Sequence, residues 1–153
     1  MKLANALSQR SELQTRIHQL ESRLNHNALV QDGEEPAEDP MELLNELEED
    51  YNHLERLFSS INRTNNSTQV KKGLTLSDLL ARRDCRKGKL SVLRGFLSNA
   101  SAQVHRHSAS EIKIKSTVNV RELQKQVDSL SKELRELDET IQEKNWTTDL
   151  LEE

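Results

Sequence analysis

The fold of this chain is decided by residues 39–61, DPMELLNELEEDYNHLERLFSSI. Asp39 and Pro40 suit the N-cap and the first position of a helix, and Glu42 stands where a capping box needs a carboxylate. Apolar residues then follow in alternating steps of three and four, at Leu44, Leu47, Tyr51, Leu54, Phe58 and Ile61. This spacing predicts a helix that buries one face against a neighbour.

The same periodicity predicts three further helices. Rows of apolar residues run from Leu3 to Leu24 and from Leu123 to Ile141, and a weaker row lies between them. In the weaker row, Gly88 and Gly95 each cost about 1 kcal/mol relative to alanine. The predicted helices span about 2–27, 40–65, 76–98 and 119–145. Together they predict an all-α fold, an antiparallel, coiled-coil-like bundle of four long amphipathic helices.

Loops and one β element join these helices. Two prolines, Gly33 and a run of acids make residues 31–39 an acidic loop. Residues 111–118, EIKIKSTV, alternate apolar and polar positions and include β-branched side chains, which predicts a strand. We therefore expect a short strand or hairpin within 102–118, before the last helix. Its partner is residues 102–107, residues 69–75 or the same strand of a second subunit.

Size and composition favour one helical domain over residues 1–153. Apolar residues are 33% of the chain, aromatic residues 3% and charged residues 31%. That mixture is poor for a broad globular core and suits helices that bury one stripe and expose the rest. The net charge of −4 gives no overall attraction to nucleic acid or to an anionic membrane.

The N-terminal residues and the cysteine content predict a cytoplasmic protein. Residues 1–10, MKLANALSQR, contain no continuous apolar segment of the kind a signal peptide needs. No run approaches the ~18 apolar residues of a membrane-spanning helix, so we expect no membrane partner. The single cysteine, Cys85, rules out an intramolecular disulfide framework.

The charges are unevenly distributed along the chain. Residues 31–57 contain eleven Asp or Glu and one Arg, whereas residues 78–94 contain six Arg or Lys and two Asp. The basic segment has the character of an RNA-binding helix, with candidate nucleic-acid contacts at Arg82, Arg83, Arg86 and Lys87. The favoured interpretation is that the basic helix lies beside the acidic one, since no aromatic residues interleave the basic residues for base stacking.

No catalytic or metal-binding motif outweighs its structural interpretation. His105 and His107 have strand spacing that a metal could bridge, but no further ligand completes a site. Asp50 and His53 have the spacing of half a di-iron carboxylate motif, and the other half is missing. Cys85 lies beside cations, yet no positioned base accompanies it. We predict no catalytic residue, no metal, no cofactor and no identifiable small-molecule substrate.

Apolar residues exceed what one thin bundle buries. Leu43 and Leu57 make the face of the second helix wider than a two-stranded seam. An unpaired strand before the last helix would pair with its symmetry mate across a two-fold axis. A second copy would also improve the ratio of buried to exposed surface. We therefore predict a homo-oligomer, a dimer or higher, with candidate interface residues Ile112, Ile114, Val118, Phe96 and Trp146.

Several stretches of the chain resemble a known family. They are, in order, GEEPAEDP (33–40), INRTN (61–65), LARRD (80–84), SEIK (110–113) and NWTTDL (145–150). They resemble the septicolysin-like family of small bacterial proteins over nearly the whole chain. The resemblance implies a compact bacterial cytoplasmic helical protein and supplies no activity. The family label suggests a cytolysin, which the lack of a signal peptide and of a membrane-hairpin segment argues against.

These observations predict a non-enzymatic, homo-oligomeric structural or interaction protein. The alternative is an RNA-binding helical module that uses the basic face of the third helix. A cytolysin-type toxin is a remote and disfavoured alternative.

Overall fold

The computed structural model describes residues 1–102 and 112–152, which form a mostly helical protein with one small antiparallel sheet. The helical fold class predicted from the sequence is confirmed. Each helix begins and ends within two residues of its predicted limits. The elements are α1 (Leu3–His26), α2 (Pro40–Ser67), β1 (Gln69–Lys71), β2 (Leu74–Thr75), α3 (Leu76–Ala100) and α4 (Val120–Thr147). Within the described ranges, no helix is both long and apolar enough to cross a membrane.

Two helices begin at side-chain caps, and the cap at Asp39 is the one predicted above. Asp39 Oδ1 accepts a hydrogen bond from the backbone N–H of Met41 at 2.9 Å, at the start of α2. Asn119 Oδ1 accepts one from the backbone N–H of Glu122 at 3.2 Å, at the start of α4. Each cap satisfies a backbone donor that has no partner inside the helix.

The small sheet lies before α3 and not before α4. Gln69 pairs with Thr75 and Lys71 with Leu74, in a hairpin whose turn contains Gly73 at φ 75°. Glycine adopts this left-handed conformation without the steric cost of a Cβ. Residues 69–75 therefore pair with each other within one hairpin.

The predicted β element within 102–118 is wrong for residues 102 and 112–118, which form no strand. Ile112 is 91% exposed and Ile114 is 67% exposed, so the alternating pattern has no buried face in this structure. A strand also needs a neighbour to satisfy its backbone groups, and alternation in sequence does not supply one. Residues 103–111 lie outside the described part of the chain.

The chain divides into two compact units, and the first comprises residues 1–76 and 143–153. In this unit α1 and α2 run antiparallel, because Arg16 lies beside Asp50 and Arg23 lies beside Glu46. Buried apolar side chains from both helices form the packed interior: Leu3, Ala6, Leu13, Leu20, Leu43, Leu54, Leu57 and Ile61.

The second unit comprises residues 77–142, in which α3 packs against α4. Leu90 of α3 and two residues of α4, Val127 and Leu130, form its buried cluster. Arg94 Nη2 donates a hydrogen bond to Ser131 Oγ at 3.1 Å beside this cluster. The core of the unit is therefore a thin apolar seam with polar contacts at its edge.

The face of α2 that is buried differs from the predicted one. Three residues of the predicted row are exposed: Leu44, Tyr51 and Phe58. The helix buries a neighbouring row in their place: Leu43, Asp50, Leu57 and Thr64. This row is the less apolar of the two, because it contains a carboxylate. A rule based on apolar periodicity does not select this row for burial, because it contains Asp50. In the structure Arg16 of α1 neutralises that carboxylate, so the row can be buried.

Candidate interaction surfaces

An ion pair with a buried carboxylate joins α1 to α2 in the first unit. Asp50 is 1% exposed. Arg16 Nε donates to Asp50 Oδ2 at 2.7 Å, and Arg16 Nη2 contacts the other carboxylate oxygen. A carboxylate that leaves water loses a large hydration energy, which only a well-placed cation with hydrogen bonds offsets. The pair therefore fixes the rotation of α2 against α1.

The groove beside this ion pair has a volume of about 520 Å³ and contains His53 and Arg56. The arrangement does not form the di-iron half-site that its spacing resembles, because both oxygens of Asp50 are bound to Arg16. Across the described ranges, no group of three or more His, Cys, Asp or Glu is placed to hold a metal. His105 and His107 lie outside the described residues.

A second polar cluster closes the acidic loop between α1 and α2. Arg23 Nε lies 3.1 Å from both carboxylate oxygens of Glu38, and this hydrogen bonding lowers the pKa of the Glu38 carboxyl. Asn27 Oδ1 accepts a hydrogen bond from the backbone N–H of Glu38 at 3.0 Å, and Asn27 Nδ2 donates to the Arg23 carbonyl at 2.8 Å. These three residues tie the end of α1 to the start of α2.

An exposed row of apolar side chains lies along α2 on the outside of the first unit. We call Leu44, Tyr51 and Phe58 the outer row; their exposed fractions are 45%, 52% and 38%. The guanidinium of Arg10 lies 5.9 Å from the centroid of the Phe58 ring, a cation–π contact that covers one edge of the row. Residues seven apart lie nearly on one line along a helix, so the three side chains share one face of α2 at intervals of about 10 Å.

The predicted nucleic-acid residues divide into two groups. Arg83 Nε donates to Asp84 Oδ1 at 3.1 Å, and Arg86 Nη2 lies 3.8 Å from Glu133 Oε1 of α4. Arg83 and Arg86 therefore already have acidic neighbours, whereas Arg82 and Lys87 are exposed to solvent. The acid beside Arg86 belongs to α4, not to the acidic helix α2 that the sequence favoured. The carboxylates of Glu46 and Asp50 on α2 face arginines of α1.

The outside of α3 carries a face of small and apolar residues. Cys85 is exposed there, and Val92 is 71% exposed. A Cβ added at Gly88 or at Gly95 would meet no atom within 4 Å. The packing of this chain therefore does not require either glycine, although each weakens the helix.

The five residues predicted at an oligomer interface are all exposed, and they divide between the units. Trp146, 63% exposed, belongs to the first unit. The other four belong to the second: Phe96, Ile112, Ile114 and Val118. Exposure leaves all five available for contacts, and their role at an interface stays a prediction.

Sequence reasoning missed the Arg16–Asp50 pair. The available signal was a charged residue at a core step: Asp50 lies three residues after Leu47 and four before Leu54. A carboxylate at such a position requires a cation on the facing helix. Locating that cation at Arg16 needed the register between α1 and α2, which no local pattern provides.

Comparisons with known proteins place the chain among proteins of unknown function. The model of a family of unknown function, DUF6847, matches residues 10–150. A crystal structure of a functionally unknown conserved protein from Corynebacterium diphtheriae is similar to the whole fold, with a TM-score of 0.91 and 42% sequence identity. The similarity covers 99% of this chain and 99% of that chain. No curated protein matches the sequence. The resemblance to the septicolysin-like family stays a prediction.

Proposed function

Because the chain belongs to the DUF6847 family, we propose its function from its own geometry: it is a non-enzymatic, homo-oligomeric helical interaction protein of the cytoplasm. Its four amphipathic helices would serve as an antiparallel bundle scaffold, and its activity would be to bind a second copy of itself. Self-association of this kind needs no cofactor.

The observation that carries the proposal is the choice of face on α2. The helix buries the carboxylate of Asp50 and leaves the aromatic ring of Tyr51 52% exposed. A chain that stayed a monomer would be more stable with α2 rotated to bury the more apolar row, since burial of apolar surface stabilises by about 25 cal/mol per Å². Apolar strips that stay outside a folded chain mark surfaces for other molecules. A sequence that breaks the simple burial rule in this way usually does so for function.

The mass in solution tests the proposal. We expect sedimentation equilibrium at micromolar concentration to give a multiple of 17.6 kDa. The double variant Tyr51→Glu/Phe58→Glu should shift the mass towards that of one chain, because it places charges in the outer row. Leu29→Glu is the matched control, since Leu29 is 90% exposed and lies in a loop. A wild-type mass of 17.6 kDa at all concentrations would overturn the proposal.

RNA binding by α3 is the second candidate, favoured by the exposure of Arg82 and Lys87. Phosphate contacts give an affinity that falls steeply as salt rises. If this candidate is right, wild type should bind a mixed RNA at low salt and Arg82→Gln/Lys87→Gln should bind it less, with a smaller salt slope. Equal binding by the two proteins would exclude the candidate.

A further inference from the structure

On the basis of the proposed self-association, we infer that the outer row of α2 docks on the outside of α3 of a second copy. The outer row is a strip of large apolar side chains with Glu48 and Glu55 along one edge. The outside of α3 is a face of small residues with Arg82 and Lys89 along one edge and Asp84, which pairs with Arg83, along the other.

The two surfaces match in length and in size of side chain. On α2, Leu44, Tyr51 and Phe58 occupy every seventh position. On α3, small residues occupy every seventh position as well, at Ala81, Gly88 and Gly95. Each strip covers fourteen residue steps, about 21 Å at 1.5 Å per residue. Large side chains on one helix therefore meet gaps on the other at the same interval, as close helix packing requires.

The middle of both strips coincides whichever way the two helices run. Tyr51 is the central residue of the outer row, and Gly88 is the central residue of the small row. With the strips aligned, Tyr51 lies opposite Gly88 in both the parallel and the antiparallel direction. Apart from the backbone of its own helix, a Cβ at Gly88 meets no atom of its own chain within 4 Å, so this position is open to a neighbouring molecule.

Glutamates along one edge of the outer row match cations along one edge of the small row. Glu48 and Glu55 are exposed next to the outer row of α2, seven residues apart. Arg82 and Lys89 are exposed next to the small row of α3, also seven residues apart. Within the described residues, none of these four side chains forms an ion pair in its own chain, and Glu48 Oε1 accepts one hydrogen bond, from Asn52 Nδ2 at 3.3 Å. Complementary charges of this kind select a partner and its register.

Pairing of α2 with α2 of a second copy is the alternative that this charge pattern disfavours. Such a pair would centre on Tyr51 and would bring Glu48 and Glu55 of both copies together. Like charges placed opposite each other weaken a helix pair, whereas α3 offers cations at the same interval.

Cross-linking between isotopically distinct chains tests which surfaces meet. The variant Tyr51→Cys retains the native Cys85, which is exposed one helical turn from Gly88. A mixture of ¹⁴N and ¹⁵N protein is treated with a short bis-maleimide, and linked peptides are identified by mass spectrometry. We expect links between Cys85 and position 51 that join a light chain to a heavy one. Links between position 51 of one chain and position 51 of another would overturn the proposal, and the variant Tyr51→Cys/Cys85→Ser would show the same links. Links from position 51 to Cys85 that form only within single chains would also overturn it.

Substitutions at the two surfaces supply an independent test. Gly88→Leu adds a side chain where its own chain has room, so we expect unchanged or higher helicity by circular dichroism together with loss of the oligomer. Ser98→Leu, about 80° around the helix from Gly88, is the control and should leave the mass unchanged. Glu48→Lys/Glu55→Lys should weaken association roughly tenfold, and adding Arg82→Glu/Lys89→Glu should restore it.

The outcomes separate this inference from the proposed function. A wild-type protein that is a single chain at every concentration overturns both. The docking of α2 on α3 is overturned if the Gly88→Leu variant still forms the oligomer. It is also overturned if the variant with all four charges exchanged does not recover association. In both cases self-association itself remains intact.

Discussion

At the scale of single residues, the Arg16–Asp50 pair decides how α1 and α2 meet. The two partners have very different access to water: the side chain of Asp50 is 2% exposed and that of Arg16 is 52% exposed. A guanidinium that loses its partner here can rehydrate, while the carboxylate cannot. The two halves of the pair should therefore respond differently to mutation.

We expect Arg16→Met to lower the free energy of unfolding by about 3–5 kcal/mol, because it leaves a buried carboxylate without a cation. Asp50→Leu should cost clearly less, since the remaining arginine reaches solvent. The double variant Arg16→Met/Asp50→Leu should recover most of the loss, as apolar replacements of buried ion pairs do. Urea denaturation of the three variants measures these differences. Equal costs for the two single variants would contradict the assigned burial.

At the scale of elements, α2 has two neighbouring rows that a periodicity rule treats as candidates for the core. Leu54 and Ile61 lie between the two rows and are buried in the structure. The question is whether the row of Leu57 or the row of Phe58 is buried beside them. The structure buries Leu57 at 5% exposure. This choice sets which side chains remain outside for a partner.

Truncation of Leu57 checks which row is inside. Leu57→Ala should lower the free energy of unfolding by about 2–5 kcal/mol, because it removes buried methyl groups and leaves a cavity. Leu29→Ala makes the same chemical change at an exposed loop position and should stay within about 0.5 kcal/mol of wild type. Thermal and urea unfolding give both values. An unchanged free energy of unfolding in Leu57→Ala would show that α2 buries the face that apolar periodicity predicts.

The clasp of Arg23, Asn27 and Glu38 gives the first unit a dependence on pH. The folded pKa of Glu38 is lowered by hydrogen bonding from Arg23, so its contribution to stability is present above the unfolded pKa of a glutamate, about 4.3. That contribution is lost as pH falls through the lower, folded pKa. We expect Glu38→Gln to be less stable than wild type at pH 7, with the difference closing below about pH 4. A difference that stays constant down to pH 2 would show that the carboxylate charge is not involved.

At the scale of the whole molecule, the two ends of the chain meet in the first unit. Leu3 N–H donates to the Thr148 carbonyl at 3.0 Å, and Leu150 N–H donates to the Met1 carbonyl at 2.8 Å. Thr64 Oγ1 of α2 accepts from Leu151 N–H at 2.9 Å and donates to the Ser60 carbonyl at 2.7 Å. The pKa of Asp149 is lowered by its hydrogen bond with Lys2. One buried hydroxyl therefore links the C-terminal segment to the helix beneath it.

Thr64→Val tests this link, since it keeps the shape of the side chain and removes both hydrogen bonds. We expect a loss of about 1–3 kcal/mol in the free energy of unfolding, because the Leu151 N–H loses its acceptor in a partly buried place. Faster hydrogen exchange at Leu150 and Leu151 should accompany the loss. Thr64→Ser keeps the hydroxyl and should retain the exchange protection. Unchanged exchange in Thr64→Val would show that the hydroxyl does not hold the C-terminal segment.

The sequence by itself determined the helices of this protein and their limits. Caps at Asp39 and Asn119 and apolar periodicity act over a few residues, so a local reading finds them. The same reading placed a strand at residues 111–118, but the described part of that segment, residues 112–118, forms no strand.

Only the tertiary structure decided which face of α2 is buried, where Asp50 finds its cation and that the hairpin lies at residues 69–75. The first two depend on a partner far away in sequence, since Arg16 is 34 residues from Asp50, whereas the hairpin pairs residues that are close in sequence. A local pattern measures only how apolar a row of side chains is, whereas burial of that row also depends on the side chains of the surface that packs against it. A carboxylate that meets an arginine is stable inside, and the more apolar row is then left outside for a partner to cover.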